Sequence, residues 1–393
     1  MFDLSEIQAS LQEFQLDGWL LYDFRGLNPL AQRVLEMPEE IVGSRRFCYF
    51  IPASGSPKKL VHRIESTALD HLPGEKRIYL RWQDFEQGIR EMTAATGKIA
   101  MEYSPGNGNP YISRVDGGTI ELVRSFGPEI VSSGDLIQYF EARLTPRQWQ
   151  LHLEADRWTQ EAFDLAWQMI RERTAAGGAV RETEVQQMIM DHFRANQLTT
   201  YHPPIVGVNE NSGDPHYEPV QGKDKPIREG DFVLIDLWAK MDVPGGIYSD
   251  LTKVGFVGSS VPRQYVDVFQ HVAAARDAGI RTVREAFESG EELFGWQVDQ
   301  ATRDVIEKAG FGEFFVHRTG HNIGQETHGN GAHMDNLETK EDRRVMRGTC
   351  FSIEPGVYLE EFGIRSEVDV FVDDEGQVHV TGGIQNEILA ISG

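Results

Sequence analysis

The sequence predicts two α/β domains in series, the second made of two halves with the same order of elements. Three observations carry this. At 393 residues the chain exceeds one ordinary core, so two domains of roughly 150 to 250 residues each are expected. Short strand-like runs alternate with helical segments over the first part, which is the α/β pattern. Beyond a strong helix start at Thr145-Pro146, the order helix, helix, strand pair occurs twice.

Strand-like runs are read at 18–23 ("GWLLYD"), 46–52 ("RFCYFIP"), 58–65 ("KKLVHRIE"), 77–81 ("RIYLR"), 98–103 ("KIAMEY") and 120–124 ("IELVR"), with "SEIQASLQEF" as a helix. "GSP" at 55–57 reads as a hairpin turn. No catalytic constellation is visible there, which points to a structural, oligomerising or substrate-gating role. Thr145 as N-cap with Pro146 at the first helical position opens a long helix, and the domain boundary is placed there, giving residues 1–143 and 144–393. In "TEVQQMIMDHFRANQ" Thr183 and Gln186 have capping-box spacing, and Val185, Met188, Ile189 and Phe193 form one stripe. Strands around 232–257 follow, then helices at about 263–287 and 296–309, then strands near 350–358 and 364–372.

A net charge of −23 argues against a nucleic acid partner, since such binding draws on Lys and Arg against phosphate. The two cysteines, Cys48 and Cys350, lie in apolar runs and read as reduced, buried thiols. "MFDLSEIQASLQEF" carries acids where a signal peptide would carry Lys or Arg, and no run reaches about 18 apolar residues. A cytoplasmic protein without membrane contact is expected.

"FVLIDLWAKMDVPGGIYSDLTKVGFV", residues 232–257, sets one aspartate, Asp236 or Asp250, in each of two apolar strands. An unpaired carboxylate there is costly, so something cationic should face them. Glu354 in "TCFSIEPGVYL" and Glu367 in "GIRSEVDVFV" repeat the theme, and strand alternation puts Arg365, Glu367 and Asp369 on one side. Between the strand pairs lies "VHRTGHNIGQETHGNGAH", with His317, His321, His328 and His333. Singly, each acid has an ordinary solvated or edge-strand explanation and each histidine a hydrogen-bonded one. Four strand-centred acids with a glycine-flanked histidine form a hard, oxygen-dominated donor set for Mn, Co, Fe or Mg, and two ions suit so many acids better than one.

The pattern of Asp236, Asp250, His321 in "TGHNIG", Glu354 in "IEPG" and Glu367 in "GIRSE" resembles the M24 metallopeptidases of the pita-bread fold, over about residues 150–390. The preceding α/β segment is similar to the N-terminal domain of prolidases, aminopeptidases P and creatinases. The resemblance implies an N-terminal creatinase/prolidase-type α/β domain followed by a pseudo-symmetric pita-bread catalytic domain. It implies an Xaa-Pro dipeptidase or aminopeptidase that cleaves short proline-containing peptides by a metal-bridging hydroxide, as a homodimer. Asp236 would chelate one metal, His321 and Glu354 the other, and Asp250 and Glu367 would bridge; Mn2+ comes first, with Co2+, Zn2+ or Fe2+ as alternatives. Glu354 would also shuttle the proton, His216 in "GDPHYEP" and His328 would steady the carbonyl and its oxyanion, and His317 and Arg365 would bind substrate.

Two departures stand out. Thirteen residues separate Asp236 from Asp250 where the family usually has ten, and Asn322 stands where glycine is frequent, with "HGNGAHMDN" after His328. Both fall at the mouth of the expected site. Rival readings are a creatinase-like hydrolase of a non-peptide small molecule and a catalytically inactive pita-bread binding module; the complete ligand set speaks against both.

Overall fold

A computed structural model describes residues 2–38 and 43–392. The chain divides into two compact units, Met1–Glu141 and Ala142–Gly393. No helix among the described residues is long and apolar enough to cross a membrane.

The first unit is built on strands β1 (Gly18–Asp23), β2 (Phe47–Pro52), β3 (Lys58–His62), β4 (Glu75–Tyr79), β5 (Lys98–Met101) and β6 (Glu129–Ser132), in the order β4-β3-β2-β1-β5-β6. β1 runs antiparallel to β2 and parallel to β5. Every residue of β1 is buried. The reason is that both faces are covered: Trp19 and Leu21 point into one apolar cluster, Leu20 and Tyr22 into another. One expectation fails here. Residues 120–124 are not a strand but part of helix Gly117–Ser125, and the strand comes later, at Glu129–Ser132. Over five residues "IELVR" fits either period, and the cap decides it: Asp116 Oδ1 accepts the Thr119 N–H at 2.9 Å, so Ile120 and Val123 are buried on one helical face.

In the second unit, helix Pro146–Thr174 starts as expected, with Thr145 and Gln148 forming the capping box. The next helix does not start at Thr183. It spans Glu182–Ala195, and the Glu184 carboxylate accepts the Arg181 N–H at 2.8 Å, while the Thr183 hydroxyl donates to Asp224 Oδ2 at 2.6 Å. These two helices cover one face of the antiparallel hairpin Phe232–Met241 and Ser249–Val257: Val233, Ile235 and Leu237 share a cluster with Phe163, Ile170, Val185 and Ile189. The alternate residues Phe232, Leu234 and Trp238 point the other way, into the cluster under helix Arg263–Ser289. Asp236 has their parity and so lies on this inner face.

The second half repeats the order with helices Arg263–Ser289 and Gly295–Lys308, but its long strands are broken. Residues 350–358 split into Cys350–Ile353 and Gly356–Tyr358, and 364–372 lies in Gly363–Arg365 and Val368–Val372. The outer segments pair with each other, as do the inner ones. Pro355 has no N–H to give a ladder, which ends the first strand. Glu354 and Glu367 both fall in the breaks, outside the regular ladders.

Candidate metal centre

Hairpin register sets the first two acids. Asp236 lies opposite Thr252 and Trp238 opposite Asp250, so Asp236 and Asp250 are diagonal neighbours on the same face. The long turn keeps this parity. His321 comes from a segment pressed against strand Cys350–Ile353: a Cβ on Gly320 would lie 2.0 Å from the Ser352 carbonyl oxygen, so only glycine permits the approach. The His321 N–H donates to Ser352 Oγ at 3.0 Å, and the Ser352 N–H donates to the His321 carbonyl at 2.9 Å.

Donor atoms of Asp250, His321 and Glu367 lie within 4.8 Å of one another, the one such buried group among the described residues. His321 Nε2 is 3.5 Å from Asp250 Oδ2 and 3.3 Å from Glu354 Oε1. Arg365 answers the question of the facing cation. Its Nη2 pairs with Asp236 Oδ2, Nε donates to Thr252 Oγ1 at 2.9 Å, and Nη1 donates to Tyr358 OH at 2.9 Å. Thr252 in turn donates to Glu367 Oε2 at 2.7 Å. Asp369, behind the cluster, accepts the Asp250 N–H at 3.0 Å.

The electrostatics are those of a crowded acid pocket. Burial first, and then repulsion from Asp236, Asp369 and Glu354, push the Asp250 carboxyl well above its usual range. Glu367 is raised well above by burial and by Asp250, Glu354 and Asp236. Asp236 is raised by burial against the pull of Arg365. Burial also acts upward on Glu354, but His321, His317 and Arg365 together hold it below the ordinary carboxylate range. Asp236 Oδ1 is buried with no hydrogen-bond partner. An orphaned oxygen and several mutually repelling acids around one imidazole are what a divalent cation would relieve, so these residues fit a metal site.

The other predicted residues separate. His317 Nδ1 donates to the Arg318 carbonyl at 2.7 Å, which leaves Nε2 to accept from Tyr358 OH at 2.7 Å; burial lowers its pKa to about 4. His328 keeps contact with solvent, with its ring 4.3 Å from that of His321; partial desolvation, then His321 and Arg318, lower its pKa to about 3. His216 is exposed on a loop fixed by the Gly363 N–H, which donates to Ser212 Oγ at 2.8 Å. His333 is buried, and its Nδ1 accepts the Asn322 N–H at 3.1 Å. Asn322, in the usual place of glycine, uses its side chain to bind the Cys350 carbonyl and the Gly331 N–H. Sequence reasoning missed Thr252, Ser352 and Tyr358. Thr252 was accessible, since it has the parity of Asp250; Tyr358 was not, because its reach to Arg365 depends on the short hairpin.

The fold and this donor set define an α/β protein of pita-bread architecture with a candidate metal site. The model of metallopeptidase family M24 matches residues 150–374, more than half of the chain, and the chain belongs to that family. It is 31% identical over 206 residues to a putative Xaa-Pro aminopeptidase of Mycoplasma pneumoniae, covering 52% of this chain and 54% of that one. The chain thus spans about half the length of that relative. It is 28% identical over 334 residues to a probable dipeptidase PepE of Mycobacterium bovis, covering 84% and 82%. The crystal structure of dipeptidase PepE from Mycobacterium ulcerans superposes with a TM-score of 0.65 at 21% identity, over 99% of this chain and 97% of that one. That likeness establishes the shared fold.

Proposed function

We propose that this chain is a dinuclear metal-dependent exopeptidase that hydrolyses the Xaa-Pro bond of dipeptides or short peptides. The observation that carries the reading is the buried group of Asp250, His321 and Glu367 with the unpaired Asp236 Oδ1 beside it. Asp236 would hold one ion, His321 and Glu354 the other, and Asp250 and Glu367 both, with Mn2+ the first choice. When bound, two such ions supply the Lewis acidity that activates water at neutral pH.

The residues then divide the work. Glu354, held ionised by His321 and Arg365, accepts the proton released on attack and returns it to the leaving nitrogen. His328, kept neutral, and His216 face the substrate and donate to the carbonyl oxygen as it gains charge. His317 orients Tyr358 at the edge of the pocket for the proline ring. All three nitrogens of Arg365 are engaged by Asp236, Thr252 and Tyr358, so its first task is to hold Asp236; were Asp236 to serve as a metal ligand, Arg365 would be released toward a substrate carboxylate. Residues 144–393 carry the chemistry and residues 1–143 have a supporting role.

Full-length protein stripped by exhaustive chelation and reloaded with Mn2+ should cleave Ala-Pro well above Ala-Ala. Cleavage of Ala-Pro above Ala-Pro-Ala marks a dipeptidase, and the opposite order an aminopeptidase. Full activity in protein shown by elemental analysis to be metal-free would overturn the mechanism, and binding of metal without cleavage of any peptide would move the substrate to a non-peptide molecule.

A further inference from the structure

The loop that carries His216 belongs to no sheet. Between strands Ile205–Val208 and Pro226–Ile227 the chain forms a short 3-10 turn, Asn209–Gly213, and then irregular turns. Backbone of this kind must find its hydrogen bonds elsewhere. Much of that need is met by one carboxylate. Glu182, the first residue of helix Glu182–Ala195, is 0% exposed. Its Oε1 accepts the Val208 N–H and an Asn211 Nδ2–H, each at 2.8 Å. Its Oε2 accepts the Lys225 N–H at 2.8 Å and the Tyr217 hydroxyl at 2.7 Å. The Glu182 N–H donates in turn to the Lys225 carbonyl at 3.1 Å. One residue thus ties the start, the middle and the end of the segment 208–225.

Helix stability alone explains less than this. An acid in the first turn of a helix is favoured by the helix dipole, but an exposed one serves as well, and burying a carboxylate is costly. The far end of the segment has a separate fastening, since Arg181 Nε lies 3.1 Å and 3.0 Å from the two carboxylate oxygens of Asp224. What Glu182 adds is the link to Tyr217. Burial, and then Glu182, push the Tyr217 phenol upward, so it keeps its proton and donates. Tyr217 directly follows His216, whose imidazole is exposed and takes its place from the backbone beneath it. Ordering irregular backbone costs conformational entropy, and a catalytic group misplaced by about 1 Å can lose about 100-fold in rate.

We propose that Glu182 is the positioning residue for His216, holding the loop in place through Tyr217 and through the loop's two ends. The purpose of that placement rests on the substrate-facing role given to His216 above; the anchoring itself rests on the hydrogen bonds. The chemistry calls for a carboxylate and not an amide. In Glu182→Gln the new NH2 faces either Val208 and Asn211 or Lys225 and Tyr217, and in both orientations a backbone N–H meets a donor.

Two measurements on the Mn-loaded full-length protein test this. Hydrogen exchange read by mass spectrometry needs no substrate: Glu182→Gln should exchange faster than wild type over 208–225, Tyr217→Phe should do so to a lesser degree, and the hairpin 232–257 should be unchanged in both. Hydrolysis of Ala-Pro gives the second readout. Glu182→Gln should lose about tenfold or more in kcat, with KM within about threefold and metal content intact. Added to His216→Ala, the same substitution should cost less than about threefold more, because the group it positions is already gone. If Glu182→Gln does not fold, Tyr217→Phe carries both measurements, since it removes one bond and leaves the other three. Unchanged exchange, or losses that multiply in the double variant, would overturn the proposal. A His216→Ala protein that turns over like the wild type would refute the role of His216 and the positioning with it. Faster exchange in protein that cuts no peptide would leave the anchoring standing and refute the peptidase reading.

Discussion

Asp236 and Arg365 show how one residue can be read from sequence while its partner's task cannot. A carboxylate in "VLIDL" demands a cation, and Arg365 supplies one, but which of its three nitrogens goes where depends on Thr252 and Tyr358 arriving from other strands. The histidines give the sharpest test at this scale. His321→Ala should lose metal by elemental analysis, whereas His328→Ala should keep its metal and lose about 100-fold in kcat. The reverse pattern would exchange their roles. A second test lies in the first unit, where Glu102 is fully buried, accepts the Trp19 Nε1–H and an Asn28 Nδ2–H at 2.7 Å each, and is pushed by burial from 4.5 up to about 7. A raised folded pKa means that the fold favours the protonated acid. The stabilisation is full below the unfolded pKa near 4.5 and is lost as pH rises through 7. Denaturant unfolding should show the wild type losing up to about 3 kcal/mol between pH 5 and 8, with a flatter profile for Glu102→Gln. Parallel profiles for the two proteins would refute this.

Among the elements, the hairpin 232–257 was legible because its two apolar runs, the acid in each and its Pro244-Gly245-Gly246 turn all agree. Helix Gly117–Ser125 was not, because five apolar-rich residues fit two periods and the deciding cap lies outside them. The breaks at Glu354 and Glu367 were half legible: Pro355 announces the first, but nothing local announces the second. The turn itself is tightly built, since a Cβ on Gly246 would sit 2.2 Å from the Met241 carbonyl oxygen. Gly246→Ala should lower the denaturation free energy by about 1 to 3 kcal/mol and, by disturbing the register that aligns Asp236 with Asp250, should weaken metal retention. Loss of stability with metal affinity unchanged would show that the ligands tolerate a shifted hairpin.

Over the whole molecule, stability should follow metal. Empty, the pocket holds acids that repel one another, and a cation that binds only the folded state stabilises it by mass action. At neutral pH the Mn-loaded protein should melt above the chelated one, and Glu367→Gln should lose most of that difference; an unchanged melting point on adding metal would contradict the ligand placement. The family could be read along the chain, whereas the partners of Arg365 could not, because Asp236, Thr252 and Tyr358 meet it only after the strands are paired. That same assembly governs how the protein is made. The contacts that close the site join residues far apart in sequence, Thr252 to Glu367 across 115 positions and Asp236 to Arg365 across 129. Such long loops are slow to close, and local pieces of the chain hold only part of the donor set. A metal that needs donors from both halves of the unit would therefore be held tightly only late in assembly, and the rate at which tight metal uptake appears after dilution from denaturant would report that last step.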